Sequence, residues 1–195
     1  MISVLLGLGN IGKKYIGTRH NLGFELLDRV AAKFGVEKRH RTDLFYWAET
    51  AKEGHRLVLA WPRTYMNGSG DAAIKLLHDN DIQPSQMLVL VDDFALPLGA
   101  VRFRGGGSDG GHNGLASIIE ALGTEQFPRL RMGIGPVDKS TDIVDFVLSK
   151  FSAAERKSAD SMLDRATEAV LFAIDHRLDE AMSKHNYNPA PPESA

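Results

Sequence analysis

The sequence contains no cysteine in its 195 residues, which excludes disulfide bonds, thiol catalysis and cysteine-ligated metals. It also has no uninterrupted apolar run near the ~18 residues that a membrane-spanning helix requires. The first residues, Met1-Ile2-Ser3-Val4, lack a basic region followed by an apolar one. These absences predict a protein without a secretory signal, and we expect it in the cytoplasm.

Neither sign of charge is in large excess, because 23 Lys and Arg face 25 Asp and Glu, for a net charge of −2. The charge is unevenly distributed: residues 1–63 carry 11 basic and 6 acidic side chains, whereas residues 64–195 carry 12 and 19. This asymmetry permits a basic face for nucleic acid, although ordinary solvated charge gives the same counts. Hydrophobic residues make up 43% of the chain, which suffices for one substantial core and predicts a single domain.

Apolar runs and helical spacings alternate along the chain and predict an α/β fold. The expected architecture is a single domain with a twisted, mixed β-sheet flanked by helices on both faces. Strands are predicted at residues 2–6, 44–50, 55–61, 87–91, 100–104 and 130–134, and helices at 22–34, 71–78, 115–122 and 152–184, the last with a break near 175–177. Residues 1–186 would form the domain, and the proline-rich residues 187–195 a flexible tail.

The loop between the first strand and the first helix concentrates polar residues. It follows a buried strand, and ligands bind at the carboxyl ends of strands in open α/β sheets. Three glycines within residues 7–12 fit the G-x-G-x-x-G pattern of dinucleotide-binding turns. That interpretation fails because residues 13–20 separate the glycines from the helix, which is expected to begin with Asn21 as its cap. The basic run at 36–41 also stands where an acidic ribose ligand is needed.

His20 lies in this polar loop and is the candidate general base, because a neutral imidazole with a pKa near ~6.5 can take a proton from water. It needs a partner that fixes its tautomer, and Asp92, at the end of a predicted strand, is the candidate. The pair Asp92-Asp93 could instead form a strand-ending turn or ligate Mg²⁺. No third ligand stands at a telling spacing, so we predict no metal.

Three asparagines, Asn10, Asn67 and Asn113, lie in or beside glycine-bearing loops. Each alone is typical of a turn or a helix cap. Together they offer amides that could hold a carbonyl, a peptide backbone and a water molecule without adding charge. Five basic residues belong to the later strands and loops: Arg102, Arg104, Arg129, Arg131 and Lys139. If they share a face of the protein, they would bind phosphates. Otherwise they only add charge to the surface.

Residues 106–110 match the G-x-S-x-G pattern of serine hydrolases, and Asp138 or Asp142 and His176 follow in the order that such enzymes use. A nucleophilic serine needs a sharp turn from strand to helix, whereas here the strand is predicted to end near residue 104 and the helix to begin near residue 113. Ser108 would therefore be mobile, and we interpret the glycines as a flexible gate over the cleft.

Two segments, Gly7-Leu8-Gly9-Asn10 and residues 15–24, closely resemble the signature of the bacterial peptidyl-tRNA hydrolases. Residues 62–70, 92–94, 110–115 and 127–135 extend the resemblance, which covers residue 3 to about residue 186. It implies a domain that hydrolyses the ester between peptide and tRNA in peptidyl-tRNA, without metal or organic cofactor and as a monomer. A tRNA-binding module without chemistry is the alternative from another class.

The resemblance also implies roles for individual residues. His20 would be the base, Asp92 would stabilise it, and Asn10 would complete the catalytic set. The remaining matches would line the cleft (Met66, Asn67, His112 and Asn113), contact substrate (Tyr15 and Tyr65) or contact tRNA phosphates (Arg104, Arg131 and Lys139). Two positions depart from the family pattern: Ala95 replaces an acid, and Ala116 replaces a basic residue that would contact phosphate.

Overall fold

The computed structural model describes residues 1–137 and 140–190, and its backbone forms one seven-stranded sheet with helices on both faces. The strands are β1 Val4–Gly7, β2 His40–Arg41, β3 Phe45–Lys52, β4 His55–Pro62, β5 Met87–Pro97, β6 Val101–Arg104 and β7 Arg129–Gly135. The helices are α1 Leu22–Lys33, α2 Ser69–Asn80, α3 Asn113–Leu122, α4 Ile143–Leu148, α5 Ala153–Asp175 and α6 Leu178–His185. Short 3₁₀ turns lie at Lys13–Tyr15, Arg19–Asn21, Met66–Gly68 and Pro84–Gln86.

The strand order β2-β3-β4-β1-β5-β7-β6 places β1 near the middle of the sheet. Strand β1 pairs in parallel with β4 and β5, and β7 continues the parallel set beside β5. The outer strands are antiparallel to their neighbours, since β3 pairs with β4, β2 with β3, and β6 with β7. The predicted mixed sheet is therefore confirmed, and the parallel strands bring their carboxyl ends to one edge.

Two hydrophobic cores lie on opposite faces of the sheet, because successive side chains of a strand point to opposite sides. In β1, Leu5 packs in the core beneath α1 and α5, whereas Val4 and Leu6 pack in the core beneath α2 and α3. All three side chains are fully buried. This two-faced burial confirms the prediction of helices on both faces, and it explains why these strands are continuous apolar runs.

Strand β5 differs from the prediction, which ended it at Asp92-Asp93. It continues to Pro97, with an irregularity in its pairing between Asp93 and Pro97. Both aspartates therefore lie within the strand and are buried. Helix α4 was not predicted; it spans only six residues, and the side chain of Asp142 caps it by accepting hydrogen bonds from the backbone of Val144 and Asp145.

The predicted tail begins at residue 187, but Tyr187 exchanges two backbone hydrogen bonds of 2.8 and 2.9 Å with Val101 on the edge strand β6. The ordered pairing of the chain therefore extends one residue beyond the predicted boundary. Residues 191–195 of the tail lie outside the described residues. Within the described ranges, no helix is long and apolar enough to span a membrane.

Candidate active site

His20 and Asp92 meet just beyond the carboxyl end of β1, beside the part of β5 that continues past it. The 3₁₀ turn that follows the β1 loop places His20 so that its Nδ1 lies 3.0 Å from each carboxylate oxygen of Asp92. Both residues are buried, with 7% of His20 and 2% of Asp92 exposed. The Nε2 of His20 has no hydrogen-bond partner among the described residues, and it is not closed off from solvent. The pairing predicted from the sequence is thus present.

A second imidazole contacts the same carboxylate. The Nε2 of His112 lies 3.2 Å from Asp92 Oδ1, while its Nδ1 accepts backbone hydrogen bonds from Gly114 and Leu115 at the start of α3. Since Nδ1 accepts, a neutral His112 carries its proton on Nε2 and donates it to Asp92. The carboxylate can only accept, so His20 donates from Nδ1 and keeps a lone pair on Nε2.

The electrostatics of this arrangement favour charge separation. Burial alone would raise the pKa of Asp92, but attraction to His20 and His112 and hydrogen bonds from both hold it well below its usual 3.8. Burial likewise opposes the charged form of His20, yet the charge of Asp92 and its hydrogen bond raise the pKa of His20 above its usual 6.5. Asp92 is therefore ionised at neutral pH and stabilises a proton on the His20 ring.

The sequence prediction of no metal depended on the lack of a third ligand, and the structure supplies one, because ligand atoms of His20, Asp92 and His112 lie within 4.8 Å of one another. The chemistry of the donors still argues against an ion. A metal on Nε2 of His112 would require that nitrogen to give up its proton while Nδ1 keeps accepting two backbone N–H groups. The set fits a hydrogen-bonded cluster better than a metal site.

Asn10 is held in place by Asn21. The backbone N–H of Asn10 donates to Asn21 Oδ1 at 2.8 Å, and Asn21 Nδ2 donates to the carbonyl of Asn10 at 3.0 Å. Asn10 Oδ1 accepts from the backbone of Met66, which leaves its Nδ2 without a partner among the described residues. Asn21 does precede α1 as predicted, but its side chain makes no capping hydrogen bond, since it is used to hold Asn10.

The segments that carry Asn67 and Asn113 pack against each other. Asn67 lies in the turn before α2 and Asn113 is the first residue of α3, and both are exposed. Gly114 permits this close approach, because a Cβ there would lie 2.5 Å from Met66 Sδ. Asn10, Met66 and His112 are therefore linked by contacts to the His20–Asp92 pair. The placement of Asn67 and Asn113 in the cleft stays a prediction.

Tyr15 and Tyr65 stand beside this cluster as an edge-to-face pair, with ring centroids 6.3 Å apart. Tyr65 is 61% exposed, and the ammonium of Lys14 lies 4.7 Å from the ring centre of Tyr15. One exposed ring and one partly buried ring, next to a cation, offer a surface for a large polar substrate.

The basic residues have different environments. Arg104 is exposed at the end of β6, and Arg131 on β7 forms an ion pair of 2.8 Å with the buried Asp93. Lys139 lies outside the described residues. Arg129 is only 1% exposed, so its inclusion among possible phosphate ligands was wrong. Its guanidinium donates instead to backbone carbonyls of the glycine loop, including that of Ser108 at 3.1 Å.

The serine-hydrolase alternative is not supported. The carbonyl of Ser108 is anchored by Arg129, Asp142 caps α4, and His176 stacks on Phe172 with ring centroids 3.6 Å apart. Asp142 and His176 are thus used in contacts of their own, the Ser108 contact involves its backbone alone, and Asp138, the other acid considered, lies outside the described residues. Arg129 also fixes the beginning of the glycine loop, which the sequence predicted to be freely mobile.

No pattern in the sequence pointed to a role for Arg19, the residue before His20. Its Nη1 donates to Ser149 Oγ at 2.7 Å and to the carbonyl of Lys150 at 2.6 Å, and its Nη2 pairs with Glu155 at 2.7 Å. The guanidinium is buried between the rings of Phe146 and Phe151, 4.6 and 4.8 Å away. Arg19 thus clamps the turn that carries His20 to the segment joining α4 and α5.

A buried carboxylate that orients an imidazole, beside the carboxyl end of β1 in an α/β sheet, is an arrangement that general acid–base enzymes use, hydrolases among them. The sequence model for Peptidyl-tRNA hydrolase matches residues 4–193, and this chain belongs to that family. The chain is 43% identical over 188 residues to the peptidyl-tRNA hydrolase of Sulfurihydrogenibium sp. (strain YO3AOP1), covering 96% of this chain and 99% of the relative. Identity to the Aquifex aeolicus protein is 41% over 185 residues, covering 95% and 96%.

Solved structures give the same result. The crystal structure of peptidyl-tRNA hydrolase from Acinetobacter baumannii superposes with a TM-score of 0.89 at 34% sequence identity, covering 97% of each chain. This similarity confirms the predicted fold and the family resemblance drawn from the sequence motifs.

Proposed function

We propose that this enzyme hydrolyses the ester between the peptide carboxyl group and the terminal ribose of tRNA in peptidyl-tRNA, with His20 as the general base. The observation that carries the proposal is the hydrogen-bond pattern around Asp92. Because the carboxylate accepts from both His20 Nδ1 and His112 Nε2, the lone pair of His20 is directed to its solvent-accessible Nε2. That atom is the one a general base needs.

The reaction then follows from the geometry. His20 Nε2 takes a proton from a water molecule as the water oxygen bonds to the ester carbonyl carbon. The tetrahedral intermediate collapses by breaking the bond between that carbon and the ribose oxygen, and the imidazolium returns the proton to the ribose oxygen. Asp92, ionised and hydrogen-bonded to Nδ1, stabilises the imidazolium throughout. No step requires a metal ion or an organic cofactor.

The amides supply the neutral hydrogen bonds. Asn10, with Nδ2 unpartnered among the described residues, and Asn67 would hold the water and the peptide. Asn113, exposed at the first turn of α3, would donate to the oxyanion. Its position adds the partial positive charge of a helix N-terminus near the developing negative charge.

The tRNA would lie toward the β7–β6 side of the sheet. Exposed Arg104 and partly exposed Arg131 are suited to phosphate oxygens, and Lys139 is assigned there by the family resemblance alone. Tyr15 and Tyr65 would contact substrate beside the amides. Action as a cytoplasmic monomer remains a prediction, which gel filtration and cell fractionation test.

The decisive experiment measures peptide release from a peptidyl-tRNA by the wild type and by His20→Ala. We expect the variant to lose about 10²–10⁴-fold in rate, the range general-base catalysis contributes. His78→Ala is the matched control, because that imidazole is 89% exposed on α2 and should be dispensable. Undiminished turnover by His20→Ala would contradict the mechanism. A wild type that binds tRNA but releases no peptide would favour the tRNA-binding module without chemistry.

A further inference from the structure

A cavity of about 480 Å³ lies beside the β1 loop. It opens between that loop, α1 and the ends of β3 and β4, and we call it the Trp61 pocket. Its apolar walls are the side chains of Ile11, Ile16, Phe24, Tyr46 and Trp61. Ile11 and Ile16 are 37% and 65% exposed, so the mouth of the pocket presents apolar surface to solvent.

The charges that line the Trp61 pocket are mainly positive. Arg39 stacks over the Trp61 indole at 3.9 Å and pairs with Asp28 at 2.7 Å, and the same carboxylate accepts from Trp61 Nε1 at 2.8 Å. Asp28 thus offsets one of the three cations. Lys13 and Arg63 also line the pocket and form no ion pair with any described residue. The pocket is therefore apolar within and carries two uncompensated cations.

The Trp61 pocket adjoins the active site through Asn10 and Asn21, which line it while Asn10 also binds the backbone of Met66. The position of the pocket relative to the strands indicates which part of the substrate could reach it. Strands β4 and β3 lie on one side of β1, whereas β5, β7 and β6, which carry Arg131 and Arg104, lie on the other. A substrate whose tRNA lies over β7 and β6, and whose ester lies at His20, would extend its peptide toward this pocket.

We propose that the Trp61 pocket is a subsite for the peptide part of the substrate and that it prefers an acidic side chain there. The aliphatic part of a glutamate would pack against the apolar walls, and its carboxylate would pair with Lys13 and Arg63 at the rim. The proposal rests on the proposed function, because the direction of the peptide depends on the ester lying at His20. The pocket would make hydrolysis selective for peptide sequence.

The test uses three N-acetylated peptidyl-tRNAs that differ only in the residue before the esterified one, which is Glu, Gln or Lys. At low salt we expect kcat/KM to fall in the order Glu, Gln, Lys, with about a threefold to tenfold difference between Glu and Lys, as exposed ion pairs allow. The difference should lie in KM. In the double variant Lys13→Gln with Arg63→Gln, the Glu-to-Lys ratio should approach one, because the loss of rate should fall mainly on the Glu substrate.

The matched control is Lys75→Gln with Lys157→Gln, which removes the same charge from exposed positions on α2 and α5 and should keep the ratio. A ratio near one in the wild type, or a ratio unchanged in the Lys13 and Arg63 variant, would overturn the proposal. So would an equal loss on all three substrates, which would place RNA at the pocket. Failure of the wild type to hydrolyse any of them would instead refute the proposed function.

Discussion

Replacing Asp92 by asparagine tests the hydrogen-bond pattern that defines the active site. Asp92 accepts from two N–H donors, His20 Nδ1 and His112 Nε2, whereas an asparagine offers one accepting oxygen and one NH₂ group. The backbone of Gly114 and Leu115 keeps the proton of His112 on Nε2. The new carbonyl oxygen should therefore face His112, and the new NH₂ group should face His20.

An NH₂ group beside Nδ1 would favour the other tautomer of His20, which carries its proton on Nε2. The Nε2 lone pair that the general base uses would then be lost. We expect Asp92→Asn to lower kcat/KM by about 10³–10⁴-fold, since an analogous tautomer change costs this much in serine proteases. The acid limb of the pH–rate profile should also move. In the wild type we expect it above pH 6.5, because the charge and hydrogen bond of Asp92 outweigh burial and raise the pKa of His20. Without that charge, burial acts unopposed and the limb should lie below pH 6.5.

A second substitution tests whether His20 and His112 compete for the one oxygen that asparagine offers. In Asp92→Asn with His112→Ser, the competing N–H donor is removed, and serine is a good helix cap that can replace the hydrogen bond from Gly114. The asparagine oxygen can then turn to His20, so the double variant should be at least about tenfold more active than Asp92→Asn alone, as one restored hydrogen bond to a charged group allows. Steady-state peptide release from pH 5 to about 9 measures both effects. A double variant no more active than the single one would show that tautomer competition does not operate.

The remaining predictions concern other parts of the site. Arg104→Ala should reduce the slope of log tRNA affinity against log salt concentration by about 0.7–0.9 for each phosphate that the arginine neutralises. The control Arg177→Ala, at an exposed position just before α6, should leave the slope unchanged. Equal slopes for the wild type and Arg104→Ala would remove Arg104 from the RNA interface. Ser108→Ala should retain near-normal peptide release, and an inactive variant would revive the serine mechanism. Gly114→Ala should lower the free energy of unfolding by about 1–3 kcal/mol, because the new Cβ would lie 2.5 Å from Met66 Sδ. Urea titration measures this loss. Unchanged stability would mean that the turn before α2 shifts freely.

The sequence predicted most of the fold because its signals are local. Continuous apolar runs identified the buried parallel strands, and two β-type runs separated by only four residues, 44–50 and 55–61, identified the strands that pair as the β3–β4 hairpin. The end of β5 was predicted too early, because charged residues inside a sheet contradict the usual pattern. Asp92 and Asp93 stay in the strand since His20, His112 and Arg131 supply their partners, and those partners are distant in sequence.

The residues of the site were identified individually, but their connections were not. The sequence suggested three separate amides and a histidine with an aspartate. It gave no sign that Asn21 would hold Asn10 or that His112 would share Asp92. Arg129 shows the opposite error, since its position among basic residues suggested RNA contact while burial assigns it to the glycine loop. Spacing along the chain cannot distinguish these cases, because burial depends on packing.

Arg19 shows how a remote segment sets the position of the proposed base. Its guanidinium reaches Ser149, Lys150 and Glu155, about 130 residues further along the chain, and its backbone N–H donates to the carbonyl of Ser149 at 3.0 Å. A lysine could keep the charge but not the forked contacts with both ends of the α4–α5 connection. His20 is therefore held from two directions, by Asp92 on the sheet and by this clamp from the C-terminal helices, so the orientation of its ring depends on segments that the β1 loop alone does not contain.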